Sequence, residues 1–361
     1  MRPMSIEKLP SGKYRGTVRH DGKKASTQAF ATRAEAAMAE AQLKMKMGGT
    51  PDASEVTMGE LLLTHLAENG YSPTTHADVL RVITKLPDAF KSRAVADVTP
   101  HILYGLYKQL AEEGWTVYSI RRVHETVGSA YRKRAIPFRW AATNPARDVQ
   151  PPALPPTEIH PPTVDEVRTI LQGADGAFGA YLKLSANSGA RRGEMLALQW
   201  QDMDLDLGRV VIRRSIVNTP ATGMTVRETK TGKKGHRVIG VGPGIVGELR
   251  AHRDEQKAAA DSNGLPAPVW VFSHDGGITP WRPDYNTLKF NRLRKTLGLD
   301  HVRLHDLRHF VATKMLGDGV PLATVSKRLG HARASTTLDR YSHWMPQQDQ
   351  DAADSLDALL S

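Results

Sequence analysis

The stretch HDLRHF, His305 to Phe310, gathers two histidines, an aspartate and an arginine into six residues. On a helix His305 and His309 lie four apart and share a face, which is the spacing of a two-histidine metal pattern with Asp306 where a metalloprotease carries its glutamate. Arg308 argues against that use, because a fixed positive charge one turn from a dication raises the cost of binding it. The same guanidinium suits an anion, which it can grip through two parallel hydrogen bonds. Phosphate is therefore the better match. An ordinary polar helix face accounts for these six residues about as well, so the rest of the chain has to decide.

A chain of 361 residues holds two or three domains, each with its own core. Its 49 lysines and arginines against 38 acidic residues leave a net charge of +11 and a pI near 9.7, a balance that favours a polyanionic partner. More than half of that excess sits in residues 1–50, which carry ten basic and four acidic groups. Aromatic residues make up only 6%, which speaks against stacking on single-stranded bases and for contact with a duplex backbone. The absence of cysteine excludes thiol catalysis, disulfides and cysteine-bound zinc, and fits a reducing compartment. With no apolar run of about 18 residues and no secretory-type start, no membrane partner is expected and the location expected is the cytoplasm.

The elements that must position such a cluster fall into segments. In residues 1–50, Tyr14, Gly16 and Val18 alternate with Lys13, Arg15, Thr17 and Arg19, so one strand face packs and the other is basic. Asp21-Gly22 is a hairpin turn, after which STQAF, Ser26 to Phe30, returns. Thr32 and Glu35 form a capping box for a helix striped by Ala34, Ala37, Met38, Ala41 and Met45. A small sheet with basic side chains outward can enter a major groove, although a solvated face is the simpler alternative. Residues 51–150 read as four helices, each opening on a threonine that can cap and carrying apolar residues at helical period, such as Ile120, Val123, Val127 and Tyr131. Arg121, Arg122, Arg132, Lys133 and Arg134 flank the last stripe, as phosphate contacts or as a solvated face.

Residues 151–162, PPALPPTEIHPP, contain six prolines in twelve positions and form a semi-rigid spacer. Thr163 and Glu166 make a capping box where the next segment, 163–361, begins. That segment reads as helices through Trp200, the strand GRVVIRRSIV, a hairpin RETKTGKKGHRVIGV, and helices from Pro243 onward. The string GPGIVG, Gly242 to Gly247, matches a dinucleotide-binding pattern, but it lacks a surrounding βαβ unit. It is read instead as a strand leading into a helix that starts on proline.

Four charged strings stand out in this last segment: SGARRGE, ETKTGKK, LHDLRHF and LGHARASTTLDRYSH. Together they resemble the tyrosine recombinase family, the phage integrases. The family pattern is an arginine in a G-x-R-x-x-[DE] context, a lysine at a β-hairpin, an H-x-x-R box, an L-G-H box and a tyrosine about ten residues later. Arg191, Lys230, His305, Arg308, His331 and Tyr341 match it in order. Arg192, one residue on from Arg191, and Lys233 and Lys234, close to Lys230, are the competing choices.

The resemblance implies a mainly α fold with small antiparallel β elements. An N-terminal three-stranded sheet plus helix (1–50) resembles an arm-type DNA-binding domain that would use Arg15, Arg19, Lys23 and Lys24. The helical core-binding, SAM-like domain (51–150) would use Arg121 and Arg122. The linker (151–162) leads to a mixed α+β catalytic domain (163–361). The activity implied is site-specific recombination of double-stranded DNA, with Tyr341 forming a phosphotyrosine. Arg191 and Arg308 would hold the phosphate, His305 and His331 would bond it and offer the phenol a proton route, and Lys230 would protonate the leaving 5′ oxygen. Glu194 would anchor Arg191, and His309 and His343 would be supporting or exposed. No metal and no cofactor are expected. The partners implied are core and arm-type attachment sites and a homotetramer on DNA, with an excisionase and a host DNA-bending protein as further candidates. In the tail, Leu356, Leu359 and Leu360 form a small stripe that docks either on its own domain or on a neighbouring protomer. The rival readings are a type IB topoisomerase, a non-cleaving DNA-binding regulator and, more distantly, a zinc hydrolase.

Overall fold

The computed structural model describes residues 6–20, 23–31, single positions between 33 and 43, 56–155, 160–228, 236–342 and 357. The chain divides into two compact units, Met1–Thr157 and Glu158–Ser361. No helix among the described residues is long and apolar enough to cross a membrane.

The first unit opens with a three-stranded antiparallel sheet, β1 (Ile6–Lys8), β2 (Tyr14–His20) and β3 (Lys23–Ser26), in that order. Alternation along β2 buries Gly16 and Val18 and leaves Arg19 exposed. A Cβ on Gly16 would stand 2.6 Å from the Glu40 Cβ and 3.0 Å from the Ala36 carbonyl oxygen, so only glycine lets the chain at 36–40 lie against this strand. On the basic face Arg15 is paired with Glu7 at 2.6 Å, while Lys23 and Lys24 are exposed. The Asp21-Gly22 turn, the Thr32–Glu35 box and the expected stripe from Ala34 to Met45 lie outside the described residues.

Four helices of eleven or more residues follow, α1 (Met58–Glu68), α2 (Pro73–Lys85), α3 (Pro100–Glu112) and α4 (Val117–Ala130), with a four-residue helical turn, Asp88–Lys91, between α2 and α3. Thr57, Thr99 and Thr116 cap three of them, Thr57 through a reciprocal box with Glu60. The expected threonine cap fails on α2, where Ser72 accepts from the Thr75 N–H and Pro73 takes the first helical position, a place where its missing N–H costs nothing. Leu61, Leu62, Val82, Ile83, Leu103, Leu110, Val123 and Val127 close the core. Beyond α4 the chain makes a π-helical turn, Tyr131–Ala135. That turn corrects the expected basic face, because Arg134 is rotated inward and pairs with Glu68. Lys133 reaches Asn69 at 2.6 Å, Arg121 the Pro152 carbonyl at 3.0 Å, and Arg122 both Glu125 and Asp78.

The second unit starts with α5 (Val164–Gln172), capped by the Thr163–Glu166 box, then α6 (Gly176–Ser188) and the short α7 (Arg192–Leu196). Strands β4 (Met203–Asp204), β5 (Arg209–Ile212) and β8 (Arg237–Gly240) form one antiparallel sheet, and β6 (Arg214–Thr219) and β7 (Gly223–Glu228) a separate two-stranded ribbon. The middle of the expected hairpin across 227–241 lies outside the described residues, and its two described ends do not pair with each other. Strand β7 pairs with β6 around a turn closed by Gly223 at φ 62°, and β8 pairs with β5. This arrangement buries Val210, Ile212 and Ile239 together in the core. Helix α8 (Pro243–Ser262) starts on Pro243, as expected from the proline-started pattern. Then come α9 (Pro283–Thr296), α10 (Asp306–Gly317), α11 (Leu322–Leu329) and α12 (Ser335–Tyr341).

Candidate active site

Three helix ends meet at Gly189. It ends α6 with φ 64°, and a Cβ there would come within 2.8 Å of Leu329 and 3.1 Å of Val311, so α10 and α11 close on this turn. Its carbonyl accepts Arg308 Nη1 at 2.6 Å. Two residues on, Arg191 precedes α7. Its main-chain N–H and its Nη1 donate to the two oxygens of Glu194, each at 2.9 Å, and Nη2 donates to the Gly330 carbonyl at 3.1 Å. Arg192, the competing choice, is hydrogen-bonded to Thr287 instead.

Helix α10 begins just after His305. Asp306 is held by Arg303, from both its main-chain N–H and its guanidinium, which fixes the first turn. Arg308 is 4% exposed, and its Nη2 has no hydrogen-bond partner among the described residues. His309, four residues from His305, meets it edge to face at 5.1 Å between ring centres. Tyr341, at the end of α12, is 1% exposed and packs with Val311, Ala312, Leu316, Val325 and Leu329. Its hydroxyl shares a 2.5 Å hydrogen bond with His309 Nδ1. His331, directly after Gly330, has Nδ1 2.7 Å from the Thr337 hydroxyl, which ties the turn before α12 to that helix.

The charges sense one another. Burial, then the neighbouring Arg191, brings Arg308 down to about 9, so it remains a cation at neutral pH. Burial followed by the fields of Arg308 and Arg191 lowers His331 to about 4, and burial with His305 beside it lowers His309 to about 4. His305 is also lowered, by burial and then Arg308. Burial raises the Tyr341 phenol, and Arg308 and Arg340 pull against it. For Glu194 burial is the largest influence and acts upward, yet the hydrogen bond and charge of Arg237 together with Arg191 outweigh it and hold the carboxyl low. The result is a site with neutral imidazoles, a neutral phenol and charged guanidiniums at neutral pH.

Of the residues singled out from the sequence, Arg191, His305, Arg308, His331 and Tyr341 gather here. Lys230 lies in 229–235, outside the described residues, as does His343. Arg15, Arg19, Lys23, Lys24, Arg121 and Arg122 belong to the first unit. Two residues were not anticipated. His309, expected to be supporting or exposed, is buried against the Tyr341 hydroxyl. Its signal was the four-residue spacing from His305, which places both rings on one face. Arg237, on β8, is 6% exposed and donates Nη2 to Glu194 at 2.7 Å and Nε to the Arg328 carbonyl at 2.7 Å. Nothing in its local sequence distinguishes it from other arginines.

Comparison with known proteins places this arrangement among relatives. The family model described as "Phage integrase family" matches residues 163–348. The ICEBs1 integrase of Bacillus subtilis (strain 168) is 26% identical over 381 residues, which cover 99% of this chain and 100% of that protein. A putative prophage phiRv2 integrase of Mycobacterium tuberculosis is 26% identical over 327 residues, 89% of this chain and 82% of that one. Among solved structures, the fold is shared with a Tn1549 transposon integrase in complex with a circular intermediate DNA. That match has a TM-score of 0.71 at 18% identity, covering 83% of this chain and 99% of that one. A lambda integrase tetramer bound to a Holliday junction superposes with a TM-score of 0.61 at 18% identity, covering 93% and 96%.

Proposed function

The chain belongs to the phage integrase family, and from that premise we propose that its second unit cuts and rejoins duplex DNA with Tyr341 as the nucleophile. It is a site-specific recombinase of the tyrosine type. The observation that carries the residue assignment is the buried Arg308 guanidinium, which keeps its charge and has one N–H unmatched beside a phenol bonded to an imidazole. A buried donor without a partner is costly, and a phosphate oxygen is the acceptor that this cluster of cations favours.

In the cleavage step the Tyr341 oxygen attacks the scissile phosphorus, the P–O5′ bond breaks, and a 3′-phosphotyrosine and a free 5′ hydroxyl result. A phenol with a pKa at or above its ordinary value near 10 attacks poorly unless its proton leaves as the bond forms. His309 Nδ1 is the acceptor in contact with it, and a pKa near 4 keeps that imidazole neutral, and so able to accept, throughout the neutral range. Arg191 and Arg308 hold the nonbridging oxygens where negative charge accumulates, with His305 and His331 as further donors. Lys230 supplies the proton to the leaving 5′ oxygen. Joining is the reverse: a 5′ hydroxyl attacks the phosphotyrosine and the phenol takes its proton back. Because Tyr341 is enclosed by α10 and α11, a strand reaches it only after α12 shifts.

The organisation proposed is an arm-site reader over 1–50, a core-site helical domain over 51–150, a linker and the catalytic domain, acting as a tetramer on two sites. An excisionase and a DNA-bending protein would set its direction. The decisive experiment offers the protein a nicked duplex of the candidate attachment site and looks for a covalent protein–DNA band. The wild-type chain is expected to form it and Tyr341→Phe to form none while still shifting the duplex. An adduct with the variant would overturn the assignment.

A further inference from the structure

The anchor of Arg191 is itself anchored. Glu194 is buried, with 3% of its side chain exposed, and takes three hydrogen bonds: two from Arg191 and one from Arg237 Nη2 at 2.7 Å. Arg237 also donates Nε to the Arg328 carbonyl at 2.7 Å. It lies under Gly330, where a Cβ would meet its Nη1 at 2.7 Å and where the backbone is left-handed with φ 68°. The carbonyl of that glycine in turn accepts Arg191 Nη2 at 3.1 Å. The contacts form a closed loop from Arg191 to Glu194 to Arg237 to the 328–330 turn and back to Arg191. His331 is the next residue after that turn, and β8, which carries Arg237 at its first position, follows directly on the segment that holds Lys230.

Charge gives this loop a purpose beyond packing. Three buried or half-buried guanidiniums, Arg191, Arg237 and Arg308, surround one carboxylate. Were Glu194 matched by Arg191 alone, the pair would be close to neutral, and Arg191 would offer a phosphate little net field. With Arg237 matching the carboxylate from the opposite side, Arg191 can face an anion as an uncompensated cation. We propose that Arg237 is a positioning residue for strand cleavage: it neutralises Glu194 and clamps the Gly330 turn, so that Arg191 presents its charge, and His331 its ring, to the scissile phosphate.

The inference rests on the recombinase reading, and the test separates the two. Full-length wild type, Arg237→Gln and Arg237→Gln/Glu194→Gln are each given the nicked attachment-site duplex, once with an ordinary scissile phosphodiester and once with a methylphosphonate there. The methylphosphonate replaces a charged nonbridging oxygen by a methyl group and so needs less cationic help. If the wild type forms no adduct on the diester, the recombinase reading falls and this one with it. If it does, Arg237→Gln is expected to bind the duplex normally and to form adduct roughly 10- to 100-fold more slowly on the diester. Its deficit on the methylphosphonate should be clearly smaller. The double variant, which removes the unmatched carboxylate, should recover part of the diester rate. Equal deficits on both duplexes, the mark of a merely structural role, would sink the proposal, as would a wild-type rate for Arg237→Gln. Should the single variant fail to fold in a thermal melt, the double variant, which leaves no unmatched carboxylate, decides. A diester rate close to wild type supports the inference, because no carboxylate is left to cancel the Arg191 charge, and a large loss of equal size on both duplexes overturns it.

Discussion

Tyr131 in the first unit and Tyr341 in the second are both closed off from solvent, and their hydroxyls meet different partners. Tyr131, at the π-helical turn of the bundle, donates to the Val95 carbonyl at 2.8 Å, and burial alone raises its pKa. Tyr341 meets an imidazole nitrogen, and the charge of Arg308 opposes the upward push of burial. A carbonyl can only accept a hydrogen bond, whereas an imidazole can take the proton itself. Burial alone thus makes a phenol inert, and burial beside a base and a cation makes it a candidate nucleophile. The same contrast holds for arginines. Arg134 is ion-paired with Glu68 in the bundle, while Arg308 bonds the Gly189 carbonyl and has no ion pair among the described residues; each keeps one buried N–H unmatched.

The largest effect that would sharpen this contrast is the paired substitution of the two phenols. Tyr341→Phe should remove all covalent adduct, while Tyr131→Phe should leave the adduct rate unchanged and cost about 1 kcal/mol of stability, read from a denaturation midpoint. Next come the arginines. Arg308→Gln should slow adduct formation by about 10²- to 10³-fold, as loss of one transition-state donor does, and Arg134→Gln should lower the melting temperature without slowing cleavage. If Arg134→Gln slowed chemistry as much as Arg308→Gln, the division between an ion-paired cation and one without a carboxylate partner would collapse.

A smaller effect concerns the histidines. His65 in the bundle is lowered to about 4, chiefly by burial and then by Arg134, and His309 and His331 in the second unit are also lowered to about 4. An imidazole with a folded pKa near 4 and an unfolded one near 6.5 binds more protons when unfolded. Its contribution to stability is therefore full above about pH 6.5 and is lost as pH falls toward 4. Both units should weaken in that window in urea titrations, and His65→Leu should flatten the dependence of the bundle alone. His309→Leu should do the same for the second unit and in addition slow cleavage by about 10²-fold. Wild-type cleavage by His309→Leu would remove it from the proton route. The smallest effect is on the N-terminal sheet. Lys23→Ala and Lys24→Ala should each reduce the salt dependence of arm-site binding by about 0.9 in log–log slope if each contacts one phosphate, with core-site cleavage untouched.

Much of the architecture was legible because it is local. The Thr57, Thr99, Thr116 and Thr163 caps, the alternation along β2 and the proline start of α8 each depend on a few neighbouring residues. Legibility failed where distant segments compete. The pairing of β8 with β5 is decided by a shared core, and the described ends of the expected hairpin, β7 and β8, pair with different strands. Arg134 has the same composition around it as Arg132 and Lys133, and only the π-helical turn rotates it inward onto Glu68.

By itself the amino-acid order determined the residue types of the candidate site, because Arg191, His305, Arg308, His331 and Tyr341 each sit in a short string that can be matched without coordinates. The tertiary structure alone decided which of their atoms touch. Contacts such as His309 with Tyr341, 32 residues apart, or Arg237 with Glu194, 43 apart, arise from helix ends and strands closing on one another. The field at a buried group is a sum over all the charges that packing brings near it, and that sum cannot be taken along the chain.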